Sequence, residues 1–217
     1  MMRQLSKLDE LLDTTENALR TLLGETPPRR PSPAAAHTAA DKPSNAMTEK
    51  ERKTSIRLMR VNHTGEVCAQ ALYQGQALTA KLPNVRQEMN TAAEEEQDHL
   101  NWCQERIDDL GGKTSLFNPA FYALSFGLGA TAGMISDRVS LGFVAATEEG
   151  VCEHLRQHQL RLPESDAKSH AVVAQMIDDE TRHGQHAREA GGIDFPPCVK
   201  AGMRLVSKTM TATAERI

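Results

Sequence analysis

Apolar positions recur along this chain at helical spacing. Leu5, Leu8, Leu11, Leu12, Leu19, Leu22 and Leu23 form one stripe that ends at Gly24, predicting a short amphipathic helix in residues 1–24, outside the main domain. Residues 25–47 turn to Pro, Ala and Ser, with too little apolar content to fold alone, and read as a linker. Thr48 followed by Glu51 is a capping-box pattern, and the helix it opens runs to about Ala80. Pro83 opens a second helix that runs to Leu110 and stops at Gly111 and Gly112. A third spans about Asp137 to Arg161, ending before Pro163, and a fourth about Ser165 to Ala190, closed by Gly191 and Gly192. Val199 to Ile217 predicts an added terminal helix, so the main domain covers residues 48–217.

Two helical hairpins joined by one long connection have the topology of a ferritin-like four-helix bundle with a single crossover. Composition agrees. A chain of 217 residues can bury one core, and 4% aromatics with 10 Pro and 14 Gly favours an all-α fold over strands. A net charge of -4 and the lack of any Lys/Arg run argue against nucleic-acid binding. Cys68, Cys103, Cys152 and Cys198 stand singly, without C-x-x-C spacing, which fits a reducing setting and packing roles. Asp9, Glu10, Asp13 and Glu16 interrupt the N-terminal leucines, so no cleaved signal peptide is expected.

The chemistry lies in Glu96-Gln97-Asp98-His99 and Glu180-Thr181-Arg182-His183, two E-x-x-H segments. Residues three apart share a helix face, so each pair can grip one cluster, although the spacing alone is not decisive. What sharpens the pattern is a glutamate on the first helix of each hairpin. Glu66 precedes Glu96 by 30 residues and Glu148 precedes Glu180 by 32, which brings each pair of partners to the same depth across a turn. Four carboxylates and two imidazoles form a mixed oxygen and nitrogen site whose charge two divalent irons would largely neutralise. Glu96 and Glu180 are the expected bridges, Glu66 and Glu148 terminal ligands, and His99 and His183 ligands to one iron each. Asp179 belongs to a D-E-x-R-H pattern similar to those of di-iron oxygenases, and is expected to accept a hydrogen bond from the non-ligating nitrogen of His99.

Other polar residues have plainer readings. Glu94, Glu95, Glu149 and Glu153 flank the ligands without completing the pattern and read as a solvated face. His63, three residues before Glu66, is placed just outside the ligands. His154 is either a relay near Glu148 or an ordinary helical histidine. Gly127, Gly129 and Gly133 miss dinucleotide spacing and read as close helix packing, and Trp102 as core. Pro119 to Ile135 carries no charge, too short and Gly-rich to span a bilayer. It is expected either at a membrane interface, lining a lipid tunnel to the metals, or packed within the bundle or a dimer. Arg204, Lys208 and Arg216 in the terminal segment are compatible with anionic lipid nearby.

From Arg60 onward the chain resembles the bacterial Coq7 family, di-iron hydroxylases of ubiquinone biosynthesis. The resemblance is carried by N-H-T-G-E-V at Asn62 to Val67, E-x-x-H at Glu96, the Ser125 to Val144 passage, A-T-E-E at Ala146 to Glu149 and D-E-x-x-H at Asp179. It implies hydroxylation of a demethoxyubiquinol ring, 2-polyprenyl-3-methyl-6-methoxy-1,4-benzoquinol, by dioxygen at two Fe ions held by all six positions. It also implies an external reductant, a peripheral place on the cytoplasmic side of the cell membrane, and partners in a ubiquinone-biosynthesis complex or a homo-oligomer. A histidine at the position of His154 is implicated in electron delivery in that family, often beside a tyrosine; here the neighbour is Leu155. A soluble ferroxidase or iron-handling bundle, and a metal-free scaffold on the membrane, are the competing readings.

Overall fold

The computed structural model describes residues 7–23, 27–37 and 47–216; the predicted positions Leu5, Gly24 and Ile217, and linker residues 25–26 and 38–46, lie outside them. Every regular element among the described residues is helical: α1 Lys7–Leu23, α2 Glu49–Thr79, α3 Pro83–Asp109, α4 Asn118–Ile135, α5 Asp137–Arg161, α6 Ala167–Glu189 and α7 Pro197–Ala214, with a 3-10 turn at Pro33–Ala36. The all-α expectation holds, and the predicted ends of α2, α3, α5 and α6 fall within two residues of those observed, whereas the last helix stops at Ala214, short of the expected Ile217.

Local chemistry sets those ends. Thr48 accepts from the Glu51 N–H while the Glu51 carboxylate accepts from the Thr48 N–H at 2.7 Å, closing the capping box of α2, a device that contributes about 1 kcal/mol. Leu82 gives α3 no side-chain cap. Asp137, the first residue of α5, supplies one instead, its two oxygens accepting from the N–H groups of Lys81 and Leu82 at 2.9 Å each. Ser136 both ends α4 and caps α5, accepting from Val139 N at 3.2 Å. Gly111 and Gly191 take the left-handed conformation, φ 70° and 100°, that turns the chain away after α3 and α6.

Tight turns pair α2 with α3 and α5 with α6, and the hairpins meet through α3 with α6 and α2 with α5. Two apolar layers fill the bundle. One contains Met59, Trp102, Leu155 and Met176, the other Tyr73, Met89, Val144 and Ala187. Burial of each Leu or Met stabilises the fold by roughly 1.5–3 kcal/mol. On each of the four helices, the residues predicted to carry chemistry fall in sequence between a member of one layer and a member of the other.

The crossover is itself a helix. Pro119 sits in the first turn of α4, where its missing N–H costs nothing, and α4 packs along α2. A Cβ at Gly129 would stand 2.2 Å from Leu72 O, and one at Gly133 2.1 Å from Thr79 Oγ1, so these glycines permit the close approach. Gly127 meets nothing within 4 Å, so packing does not explain it. Because α4 is apolar all round, no helical stripe is visible in its sequence; its outer face leaves Leu124, Leu128, Met134 and Ile135 exposed. No helix of the described residues is long and apolar enough to cross a membrane.

Three further expectations change. Residues 27–37, read as linker, lie against α3 and α6, with Ala34 buried in the Trp102 layer. Helix α1 packs Ala18 and Leu22 on Val67, Ala71, Leu100 and Tyr122, leaving Leu12, Leu19 and Leu23 exposed. Of the cysteines, Cys103 and Cys152 are buried but Cys198 is exposed, so packing does not account for it.

Candidate metal centre

Between the apolar layers, α2, α3, α5 and α6 direct Glu66, Glu96, His99, Glu148, Glu180 and His183 into the bundle, where all six are buried. His99 Nδ1 lies 3.1 Å from Glu96 Oε2 and 3.0 Å from Glu180 Oε1. His183 Nδ1 lies 3.1 Å from Glu96 Oε1 and 3.0 Å from Glu180 Oε2. Each E-x-x-H glutamate therefore spans both imidazoles, one oxygen to each. Glu66 Oε2 is on the His99 side, 3.7 Å from Nδ1, and donor atoms of Glu66, Glu96, His99 and Glu180 all fall within 4.8 Å of one another. Glu148, outside that tight group, accepts from the Tyr73 hydroxyl at 2.5 Å and feels the charges of Glu180, Glu96 and His183. Gly184 leaves room for it: a Cβ there would come within 3.3 Å of Glu148 Cβ.

The electrostatics are those of a crowded acidic site out of water. Burial pushes Glu66 and Glu148 well above the usual carboxylate range, and the neighbouring carboxylates add to it. Burial acts on Glu96 the same way, but bonds from His183 and His99 outweigh it and hold its carboxyl well below that range. Burial would depress His99; the charge of Glu180 and its hydrogen bonds raise it instead. Glu66 Oε2, Glu96 Oε1 and Glu180 Oε1 are buried and make no well-aligned hydrogen bond, although an imidazole Nδ1 stands 3.7, 3.1 and 3.0 Å from them respectively. Bare buried carboxylate oxygens cost several kcal/mol each. Together with two inward-facing imidazole nitrogens, they form a donor set that could hold a metal ion.

The outer nitrogens are held differently. His99 Nε2 meets Asp179 Oδ2 at 2.9 Å, the contact expected from the sequence. His183 Nε2 meets Glu95 Oε2 at 2.6 Å, and Arg182 joins Glu95 at 2.9 Å and Asp179 at 3.0 Å. Glu95 is thus no free solvated residue, and its hydrogen bond from His183, more than any other effect, lowers its carboxyl to about 2. Glu94, Glu149 and Glu153 are exposed, as expected. His63 turns to Asn118 at the start of α4, 3.3 Å away, and burial lowers it to about 4. His154 packs at a tilt against His158, ring centroids 3.9 Å apart and planes 58° to each other, and His158 Nδ1 reaches Asn62 at 2.7 Å.

Sequence reasoning missed Tyr73, Glu95 and Arg30. Tyr73 could have been found seven residues beyond Glu66 on the same face of α2. A pocket of about 610 Å³ opens beside His183, floored by Tyr73, Met89, Leu141 and Val144 and edged by Glu95 and Arg182. Its lining comes from α2, α3, α5 and α6; α4 contributes nothing to it.

The profile of the family described as "Ubiquinone biosynthesis protein COQ7" matches residues 53–214. The chain is 56% identical over 216 residues to a 3-demethoxyubiquinol 3-hydroxylase of Pseudomonas syringae, covering 99% of this chain and 98% of the relative. It is 57% identical to the enzyme of that name from Stutzerimonas stutzeri and 54% identical to that from Pseudomonas aeruginosa, each with 99% of this chain and 98% of the relative covered. A bundle that converges two E-x-x-H pairs and two further glutamates, and near full-length identity of this order, lead to one conclusion: the chain belongs to the COQ7 family of ubiquinone biosynthesis proteins.

Proposed function

We propose that the chain is a di-iron hydroxylase that inserts oxygen from O2 into the ring of a demethoxyubiquinol, with Glu66, Glu96, His99, Glu148, Glu180 and His183 as the iron ligands. One observation carries the metal reading: three buried carboxylate oxygens, none in a well-aligned hydrogen bond, converge on two imidazole nitrogens whose far sides are already engaged. The substrate follows from the relatives' names. Bound iron supplies the activation of dioxygen that a carboxylate and imidazole site cannot provide alone.

The protein's own residues do the rest. Asp179 and Glu95 hold the outer nitrogens of His99 and His183, keeping each Nδ1 aimed inward. The Tyr73 hydroxyl donates to Glu148 at 2.5 Å, and Tyr73 is also among the residues around the pocket beside His183. The apolar layers exclude water from the carboxylates, and the pocket beside His183 offers the ring an apolar floor.

A peripheral place on the membrane in which a polyprenyl quinol resides is supported by the exposed apolar residues of α4 and of α1, two helices that pack on one another; the cytoplasmic side is part of the same proposal. An external reductant completes the electron balance. The test is product analysis: ferrous protein and a demethoxyquinol are mixed without air, labelled dioxygen is admitted, and label is expected in the ring hydroxyl. Iron oxidation without ring labelling would favour a ferroxidase, and uptake of less than one iron per chain would sink the metal centre. Flotation with anionic liposomes tests the membrane placement, which fails if the protein stays in the aqueous fraction.

A further inference from the structure

Arg30 lies in the stretch whose composition reads as linker, yet it joins two of the most deeply buried acids in the molecule. Its Nε donates to Asp98 Oδ2 at 2.9 Å and its Nη1 to Asp179 Oδ2 at 2.9 Å. Asp98 and Asp179 side chains are 2% and 1% exposed, on α3 and α6 respectively. Asp179 Oδ2 is the same oxygen that meets His99 Nε2, at 2.9 Å. The backbone is clamped as well, since the Arg29 N–H donates to Asp98 Oδ1 at 2.6 Å and Trp102 Nε1 donates to the Arg30 carbonyl at 3.3 Å. The guanidinium carbon stands 4.8 Å from the centroid of Trp102, whose ring in turn lies 5.3 Å from that of His99.

Two buried carboxylates on neighbouring helices are tolerable only if a cation answers them. Arg182 reaches only the other oxygen of Asp179, at 3.0 Å, and is bonded as well to Glu95. A planar guanidinium presenting two N–H groups in a fixed fork suits the double contact; an ammonium is a point charge. His183 has no such clamp, because its partner Glu95 is 34% exposed and the Arg182 behind it 44%.

We propose that Arg30 is a positioning residue for the His99 half of the metal centre, pinning Asp179 against the outer nitrogen of His99 so that Nδ1 stays aimed at Glu66, Glu96 and Glu180. The inference rests on the metal-centre reading above. Residues 27–37 are on this view a strap that completes the site.

The test compares full-length wild type with Arg30→Gln and Arg30→Lys, using Arg29→Ala as reference, since the Arg29 side chain pairs only with exposed Glu94. Imidazole NMR of the metal-free protein is expected to show a hydrogen-bonded Nε2–H of His99 in wild type and Arg29→Ala and to lose it in Arg30→Gln. Anaerobic ferrous titration is expected to show two tight sites in wild type and Arg29→Ala. In Arg30→Gln one site stays at wild-type affinity and the other weakens 10- to 100-fold, about the effect of losing an outer hydrogen bond to a metal-bound histidine. Arg30→Lys, whose ammonium keeps the charge without the fork, recovers part of the loss and decides the matter should the Gln variant lose helix content. An unchanged His99 signal with unchanged affinities, or equal weakening of both sites, would overturn the proposal. Wild type that takes up no iron would instead sink the metal-centre reading, and the role of Arg30 with it.

Discussion

His99 and His183 occupy matching places on α3 and α6, each three residues after a glutamate that reaches both. Their surroundings differ. His99 is fully buried between Trp102 and Asp179, under a segment from the far N-terminal side of the chain. His183 stands at the edge of a pocket, with a half-buried glutamate as its outer partner. A nearly symmetric donor set is thus held in an asymmetric protein, rigid on one side and open on the other. In the di-iron reading proposed above, the symmetry of the donors would suit two cations, while the asymmetry around them would give one a closed frame and the other access to the pocket.

Experiments that divide the two halves should grade in size. The largest effect belongs to a residue that, like Glu96, reaches both: Glu180→Ala is expected to remove iron binding and hydroxylation together, read by elemental analysis and product assay. Next, His99→Ala should cost the metal-free protein about 3–5 kcal/mol in urea unfolding, since it strips a partner from buried acids and leaves a cavity. His183→Ala should cost about 1–2 kcal/mol, because pocket water can replace it; equal losses would break the comparison. Smaller again, Asp179→Asn should weaken one iron site about 10- to 100-fold while Glu95→Gln weakens the other by less, water being a ready substitute.

Comparable in size to the last of these is an acid sensitivity at His63. Burial holds its imidazole at about 4, against about 6.5 in the unfolded chain. The unfolded state therefore takes the proton first, and stability present above pH ~6.5 is lost as pH falls toward 4. Between pH 7 and 5 wild type should lose about 2 kcal/mol more than His63→Gln in urea titrations of the metal-free protein. Parallel losses would remove His63 as the source.

How much of this was legible beforehand depends on the range of the interaction. Thr48 with Glu51, Pro83, and the glycines after α3 and α6 mark helix ends through contacts with near neighbours, so the helices could be read directly. The E-x-x-H pairs and their partners Glu66 and Glu148 were visible because helical repeat and hairpin arithmetic bring them level. Arg30 was not, since nothing in a Pro- and Ala-rich stretch announces an ion pair with a residue 149 positions away. Glu95 was misread because its value comes from His183, on another helix, while its own neighbours are ordinary acids. Helix α4 was read as a connection because a helix apolar on every side shows no periodic stripe; only Gly129 and Gly133, set against α2, reveal its packed face.

Asp137 carries a mechanical consequence. By capping α3 from the first turn of α5, it bolts the corner of one hairpin to the base of the other. That corner contact ties the start of α3 to the start of α5 at one end of the molecule, in addition to the apolar layers that hold the helices side by side. Insertions or deletions at residues 80–82 would break it and press on the alignment of Glu96 and His99 with Glu180 and His183.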